Sequence, residues 1–137
     1  MNNLKRFVDA QEGVYNRAME EVRRGRKTSH WMWFVFPQLR GLGASSMAYT
    51  YGIENSAEAE AYLQYPVLGP RLVAICETLL QGKSRDAHAV FGSPDDLKLR
   101  SCVTLFARVP GAHPVFKQIV DAFFNGQMDA KTLNLLS

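Results

Sequence analysis

Six large apolar side chains run consecutively as Trp31-Met32-Trp33-Phe34-Val35-Phe36, and Pro37 follows at once. No other segment limits the fold as strongly. Exposed together, these side chains would form a patch that invites aggregation. The run is therefore the centre of a core or, in part, the wall of a pocket. If helical, Trp31, Phe34 and Val35 share one face, while His30, Trp33 and Phe34 share an overlapping one. Pro37 is costly inside a helix and disfavours helical backbone just before it, so a turn or irregular segment is expected by that point.

The rest of the chain reads as short helices separated by glycine and proline. Leu4, Phe7, Val8, Gln11, Val14, Tyr15, Ala18, Met19 and Val22 recur at threes and fours and predict one helix over about 4–24. Gly25 ends it, with Arg23 and Arg24 in the last turn, where positive charge suits the dipole. Thr28 or Ser29 is placed to cap a short helix into the aromatic run, and Ser45 or Ser46 another through Tyr51. Asn55 with Glu58 three residues on reads as a capping box for a helix to Tyr65, stopped by Pro66. Helices are expected over 69–80 and 84–91. Ser93 as N-cap, Pro94 at the first helical position, and Asp95 and Asp96 in the first turn predict a helix to about Ala107. Residues 103–106 taken alone also fit a strand. Pro114 opens a helix ended by Asn125-Gly126, and Asp129 is placed to cap a last one through Leu136.

The fold expectation is thus all-α: a single irregular bundle of about seven to eight short helices, one domain over residues 1–137. With 47% hydrophobic and 21% charged residues, a chain of this length can bury an adequate core without a metal or disulfide staple. Cys76 and Cys102 each sit in an apolar helical pattern and read as buried thiols. His30, His88 and His113 are too dispersed for a metal motif, and no motif names a cofactor. The polar start from Met1 to Arg6 has no signal-peptide core, and no apolar stretch is long enough to span a membrane, so the cytoplasm is the expected location. The net charge of +3 is mild. Its surplus at Arg17, Arg23, Arg24, Arg26 and Lys27 suits a solvated helix end or an anion-facing patch, not a dedicated nucleic-acid binder.

Chemistry concentrates around the aromatic run. In the following Gln38-Leu39-Arg40-Gly41-Leu42-Gly43-Ala44-Ser45-Ser46, Gly41 and Gly43 permit close backbone approach. Arg40 offers a fork of donors for phosphate or carboxylate, and Ser45 and Ser46 add hydroxyls at a helix start. The segment is neither a P-loop nor a dinucleotide fingerprint, and a tight turn with a capping serine is the simpler reading of it. Trp31 or Trp33 offers a flat surface for stacking a planar group. His30 and Asp96 are the candidates for acid–base chemistry. Lys98 and Arg100 join the ligand set if their helix start lies beside the Arg40 loop, and the Asp96 to Arg100 spacing allows an ion pair across one turn.

These segments also carry a likeness. The run from Ser29 to Gly43, Ser45-Ser46-Met47 with Tyr51-Gly52-Ile53, Tyr65-Pro66-Val67-Leu68-Gly69-Pro70-Arg71-Leu72, the run from Phe91 to Ser101, and Phe124-Asn125-Gly126 with Asp129 and Thr132-Leu133 together resemble the DUF1810 family. Its members are small, mainly helical proteins of unknown biochemical function, and the likeness covers nearly the whole chain. Tyr65 stands where such proteins often have a histidine, and Cys102 where a small or apolar residue is usual. The resemblance implies a fold and no reaction. From the residues, the leading expectation is a binding protein or enzyme for a small phosphorylated or nucleotide-like ligand. Trp31, Trp33, Gln38, Arg40, Gly41, Gly43, Ser45, Ser46, Lys98 and Arg100 form the candidate ligand set. A non-enzymatic protein-interaction domain and a weak nucleic-acid binder are the alternatives.

Overall fold

The computed structural model describes residues 3–136, and among these the regular structure is helical. The order is α1 (Lys5–Gln11), α2 (Tyr15–Arg24), α3 (Met32–Val35), α4 (Ser46–Thr50), α5 (Ser56–Gln64), α6 (Leu68–Gln81), α7 (Ala87–Phe91), α8 (Asp95–Ala107), α9 (Val115–Phe124) and α10 (Ala130–Leu136). Ten helices among the described residues exceed the seven to eight expected. One cause is that the single helix read over 4–24 is two. Gly13, at φ +74°, turns the chain between them. α1 packs on α3 and α2 on α6. These different partners require a change of direction that the continuous threes-and-fours spacing conceals.

α8 is the hub, packed against α5, α7, α9 and α10. Its residues 101–106 are all buried. That explains why 103–106 carry no amphipathic signature and resembled a strand in isolation. Phe7, Trp31, Phe36, Tyr62, Phe106 and Phe116 fill the core. Phe7 meets Tyr62 edge-on, and Phe36 meets Phe91 in the same way, a favoured geometry for aromatic pairs. Cys76 and Cys102 are both free and buried, and burial raises both thiols above their ordinary range.

Several expected caps form. Ser45 Oγ accepts from the Ala48 amide at 3.1 Å, Asn55 Oδ1 from the Glu58 amide at 2.9 Å, and Asp129 Oδ2 from the Thr132 amide at 2.9 Å. Each supplies an acceptor for an amide that lacks one inside its helix. The Ser93 cap does not form. The Ser93–Pro94 peptide is cis and the N-cap position falls on Pro94. The first-turn amides already have acceptors: Asp96 N donates to Gly92 O at 2.9 Å, and Leu97 N to Pro94 O at 3.0 Å and to Asp96 Oδ1 at 2.9 Å. α7 is capped by Asp86, whose Oδ1 accepts from Ala89 N at 3.2 Å, so it starts later than Ser84.

Where α5 meets α6 the backbones touch. A Cβ on Gly69 would lie 2.0 Å from the carbonyl oxygen of Leu63. Gly69→Ala is therefore expected to force the two helices apart and destabilise the fold by about 1–3 kcal/mol. Urea denaturation checks this, with Gly82→Ala, which has ordinary space at 3.4 Å, as the milder comparison.

Candidate functional site

The aromatic run divides into a buried part and one exposed side chain. Trp31, Met32, Phe34, Val35 and Phe36 are buried, and Trp33 alone is half-buried. Trp31 is fully enclosed, with its Nε1 donating to Glu21 Oε1 at 2.9 Å. It cannot receive a ligand, so the stacking role expected of either tryptophan is open only to Trp33. Glu21, itself buried, also accepts from the amides of Thr28 at 2.7 Å and Ser29 at 3.0 Å, and from the Ser29 hydroxyl. This carboxylate consumes the groups from which a cap for α3 was expected. α3 accordingly has Trp31 at its N-cap position and no side-chain cap.

Trp33 faces a cleft of about 480 Å³ formed by three segments. Trp33, Gln38, Leu42 and Gly43 supply one wall, Pro94, Leu97, Lys98, Arg100 and Ser101 of the α8 start a second, and Asp129, Ala130 and Lys131 the third. The wall after α3 is fixed by a parallel bridge of Leu39 to Ile53, with Arg40 N donating to Ile53 O at 2.8 Å and Ile53 N to Gln38 O at 2.9 Å. The third wall is held by Arg100, whose Nε donates to Gln127 O at 2.9 Å and Nη2 to Met128 O at 3.2 Å. Thr104 Oγ1 adds a hydrogen bond from Asp129 N at 2.9 Å.

The cleft combines apolar surface with positive charge. Lys98 Nζ lies 3.5 Å from the Trp33 ring centroid and 3.2 Å from Asp95 Oδ1. The other Asp95 oxygen is 2.8 Å from Lys27 Nζ, which in turn sits 5.1 Å from the Trp31 ring centroid. Lys131 is exposed on the rim and makes no ion pair among the described residues. Lys98, Arg100 and Lys131, offset in part by the Asp129 carboxylate on the same lining, lie beside an indole face and a glutamine amide, a set suited to an anionic group attached to a planar one.

Five of the expected ligand residues, Trp33, Gln38, Gly43, Lys98 and Arg100, thus come together. The others do not. Arg40 turns away, donating through Nε to Tyr49 O at 2.9 Å and stacking 4.2 Å above the Tyr49 ring. It lines a separate depression of about 300 Å³ with Arg6, Glu54 and Glu58. The Leu39–Ile53 bridge sets this direction, and Gly52 is pressed against Arg40, with room there for no Cβ. Gly41, at φ +106°, makes the turn itself. Ser45 caps α4, and Ser46 is its exposed first residue. His30 is exposed and outside the cleft. Asp96 lies 3.5 Å from the exposed His88 rather than pairing with Arg100, because Arg100 is committed to the 127–128 carbonyls. His30, Arg40 and the α8 start therefore do not line one cleft.

Lys131 and Asp95 escaped the sequence reading as site residues. Nothing local places Lys131 opposite Trp33, since that depends on how α10 returns to α8. The sequence signal for Lys27 was misleading. It belongs to the basic cluster by position, but its ammonium is buried against Asp95. Arg23 and Arg24 remain at the surface beside Lys83, around the end of α2. A further apolar groove of about 400 Å³, with Leu63, Val73, Val109 and Phe116 among its walls, lies between α5, α6 and the start of α9.

Comparison with known proteins adds a family and a fold. The family model described as "Protein of unknown function (DUF1810)" matches residues 1–136. The chain is also similar to the crystal structure of the conserved hypothetical protein Rv1873 from Mycobacterium tuberculosis. The two are 51% identical over 98% of this chain and 96% of that one, with a TM-score of 0.95. No curated protein matches the sequence.

Proposed function

The chain belongs to the DUF1810 family, and from that membership, which brings a fold but no reaction, we propose that the protein binds a small phosphorylated, nucleotide-like ligand in the Trp33 cleft. One observation carries the reading: Trp33, Gln38, Lys98, Arg100 and Lys131, drawn from three separated stretches of sequence, line a single cleft. Lys98 and Lys131 supply the charge for an anion, Trp33 the surface for a planar group, and Gln38 a directional donor and acceptor. Arg100 acts mainly by holding the third wall. His30 and Asp96 lie outside the cleft, so the proposal is one of binding, with no reaction attached.

Nucleoside monophosphates, sugar phosphates and ADP-ribose form the panel for a thermal-shift test. At about a hundred times Kd, a true ligand stabilises by about 2.7 kcal/mol, which for a chain of this size raises Tm by roughly 5–10 °C. Lys131→Glu reverses a rim charge and is expected to weaken the hit at least about tenfold. Arg40→Ala, outside the cleft, is expected to leave it intact. No shift with any compound, or an equal shift in Lys131→Glu, would overturn the proposal.

A second reading, a protein-interaction surface, draws on Leu97 at 57% and Leu135 at 52% exposure. Its mark is a concentration-dependent molecular mass that Leu97→Ser abolishes; a monomeric mass at all concentrations counts against self-association.

A further inference from the structure

The Lys98 ammonium covers the surface on which a planar ligand must stack. We infer that Lys98 is a displaceable cover on Trp33, drawn off by the ligand's own anion, so that the cleft selects molecules carrying an anion and a plane together. The inference rests on the binding proposal above and deepens it.

Two lysine–tryptophan pairs share one carboxylate, and their difference carries the argument. The inner pair is fixed: Trp31 is fully enclosed and Lys27 is 8% exposed at its side chain. The outer pair borders the cleft: Trp33 is half-buried and the Lys98 side chain is 19% exposed. Asp95 bridges them, with Oδ2 at 2.8 Å from Lys27 and Oδ1 at 3.2 Å from Lys98. When Lys98 leaves, Asp95 keeps the shorter of its two ion pairs. No carboxylate is stranded, which is what ordinarily makes breaking such a contact expensive. What is lost is one cation–π contact and one ion pair between side chains 19% and 18% exposed, which the ligand's own anion and plane replace. Lys98 also has the means to move, because a four-carbon stem on a helix surface reorients without the backbone.

The consequence is a reciprocal preference. An anion alone draws Lys98 away but gains no stacking. A neutral planar molecule meets a ring already occupied by an ammonium. A nucleotide does both, the phosphate taking the ammonium and the base the vacated indole face.

Inorganic phosphate, adenosine, AMP and a sugar phosphate distinguish these cases, read by tryptophan fluorescence and by thermal shift. AMP is expected to quench Trp33 emission, with the change absent in Trp33→Phe, while adenosine binds the native protein at least tenfold more weakly. Lys98→Ala is expected to weaken AMP and strengthen adenosine, reducing the preference between them at least tenfold. AMP binding that is lost in Lys131→Glu but leaves Trp33 emission unchanged, and whose preference over adenosine survives Lys98→Ala, would overturn the cover and leave the binding proposal standing. A sugar phosphate bound as tightly as AMP would do the same. If none of the four binds the native protein, the cover is overturned, and the wider panel above then decides the binding proposal separately.

Discussion

Glu21→Ala is expected to reduce the stability of the fold by about 3–4 kcal/mol, measured by urea denaturation at neutral pH. The side chain is 1% exposed and has no cationic partner among the described residues; it is held by four neutral donors. Truncation leaves the buried Trp31 indole and the part-buried Thr28 and Ser29 amides without their acceptor, and an unsatisfied buried donor such as the indole typically costs about 1–3 kcal/mol. The same geometry predicts acid sensitivity. Burial by itself raises the carboxyl pKa, but the hydrogen bonds from Ser29, Thr28 and Trp31 outweigh it and bring the value down from 4.5 to about 2. Since the folded value lies below the unfolded one, the contribution is complete above about pH 4.5 and is lost as the pH falls toward 2. At neutral pH it amounts to roughly 3 kcal/mol. Glu21→Gln keeps an acceptor for the three N–H groups and should cost less than the alanine variant. It should also flatten the pH dependence between 4.5 and 2. Equal losses for both substitutions, with an unchanged acid limb, would contradict the account.

Arg6→Ala is the second large effect, expected at about 3–5 kcal/mol. Arg6 Nη2 lies 3.0 Å from Glu58 Oε1, and Glu58 is 2% exposed. The guanidinium also donates through Nε to Thr50 O at 2.7 Å and through Nη2 to Gly52 O at 2.9 Å, joining α1 to the end of α4 and the start of α5. Its removal strands a buried carboxylate and frees the Thr50, Gly52 and Asn3 carbonyls. The double variant with Glu58→Gln separates these contributions, because it removes the stranded charge while keeping an acceptor for the Glu54 amide, now 2.8 Å from Glu58 Oε1. It is expected to recover part of the loss. A double variant less stable than Arg6→Ala alone would show that the charge was not the main cost.

Several local signals marked the helices correctly. Asn55, Ser45 and Asp129 cap their helices because a side chain one turn from an orphan amide needs nothing else. Pro37 and Gly25 mark real ends for the same reason. The Ser93 cap fails locally, because the first-turn amides find nearer acceptors, but two other failures are tertiary. Gly13 splits the first helix because α1 and α2 serve different neighbours. Ser29 is no cap because Glu21, eight residues earlier, claims it.

The cleft was legible by residue type but not by direction. A tryptophan among core aromatics and a Lys-x-Arg on a capped helix suggested a ligand site. Which tryptophan faces outward, however, is decided by Glu21 binding Trp31. Arg40 was the natural anchor in sequence, next to glycines and serines. Pairing of residue 39 with residue 53 instead aims it at Tyr49. Lys131 lies far beyond α8 in sequence, and only the return of α10 brings it to the rim.

With only two tryptophans, the protein has two indole N–H signals in a nitrogen–proton correlation spectrum, and they sit on opposite sides of the argument. Titration with AMP is predicted to move the Trp33 indole together with backbone amides of residues 38–43, 97–101 and 129–131. The Trp31 indole, held by Glu21 in the core, is predicted to stay in place. Shifts confined to the groove around Val73 and Phe116, or to the Arg40–Tyr49 depression, would contradict a binding site at Trp33.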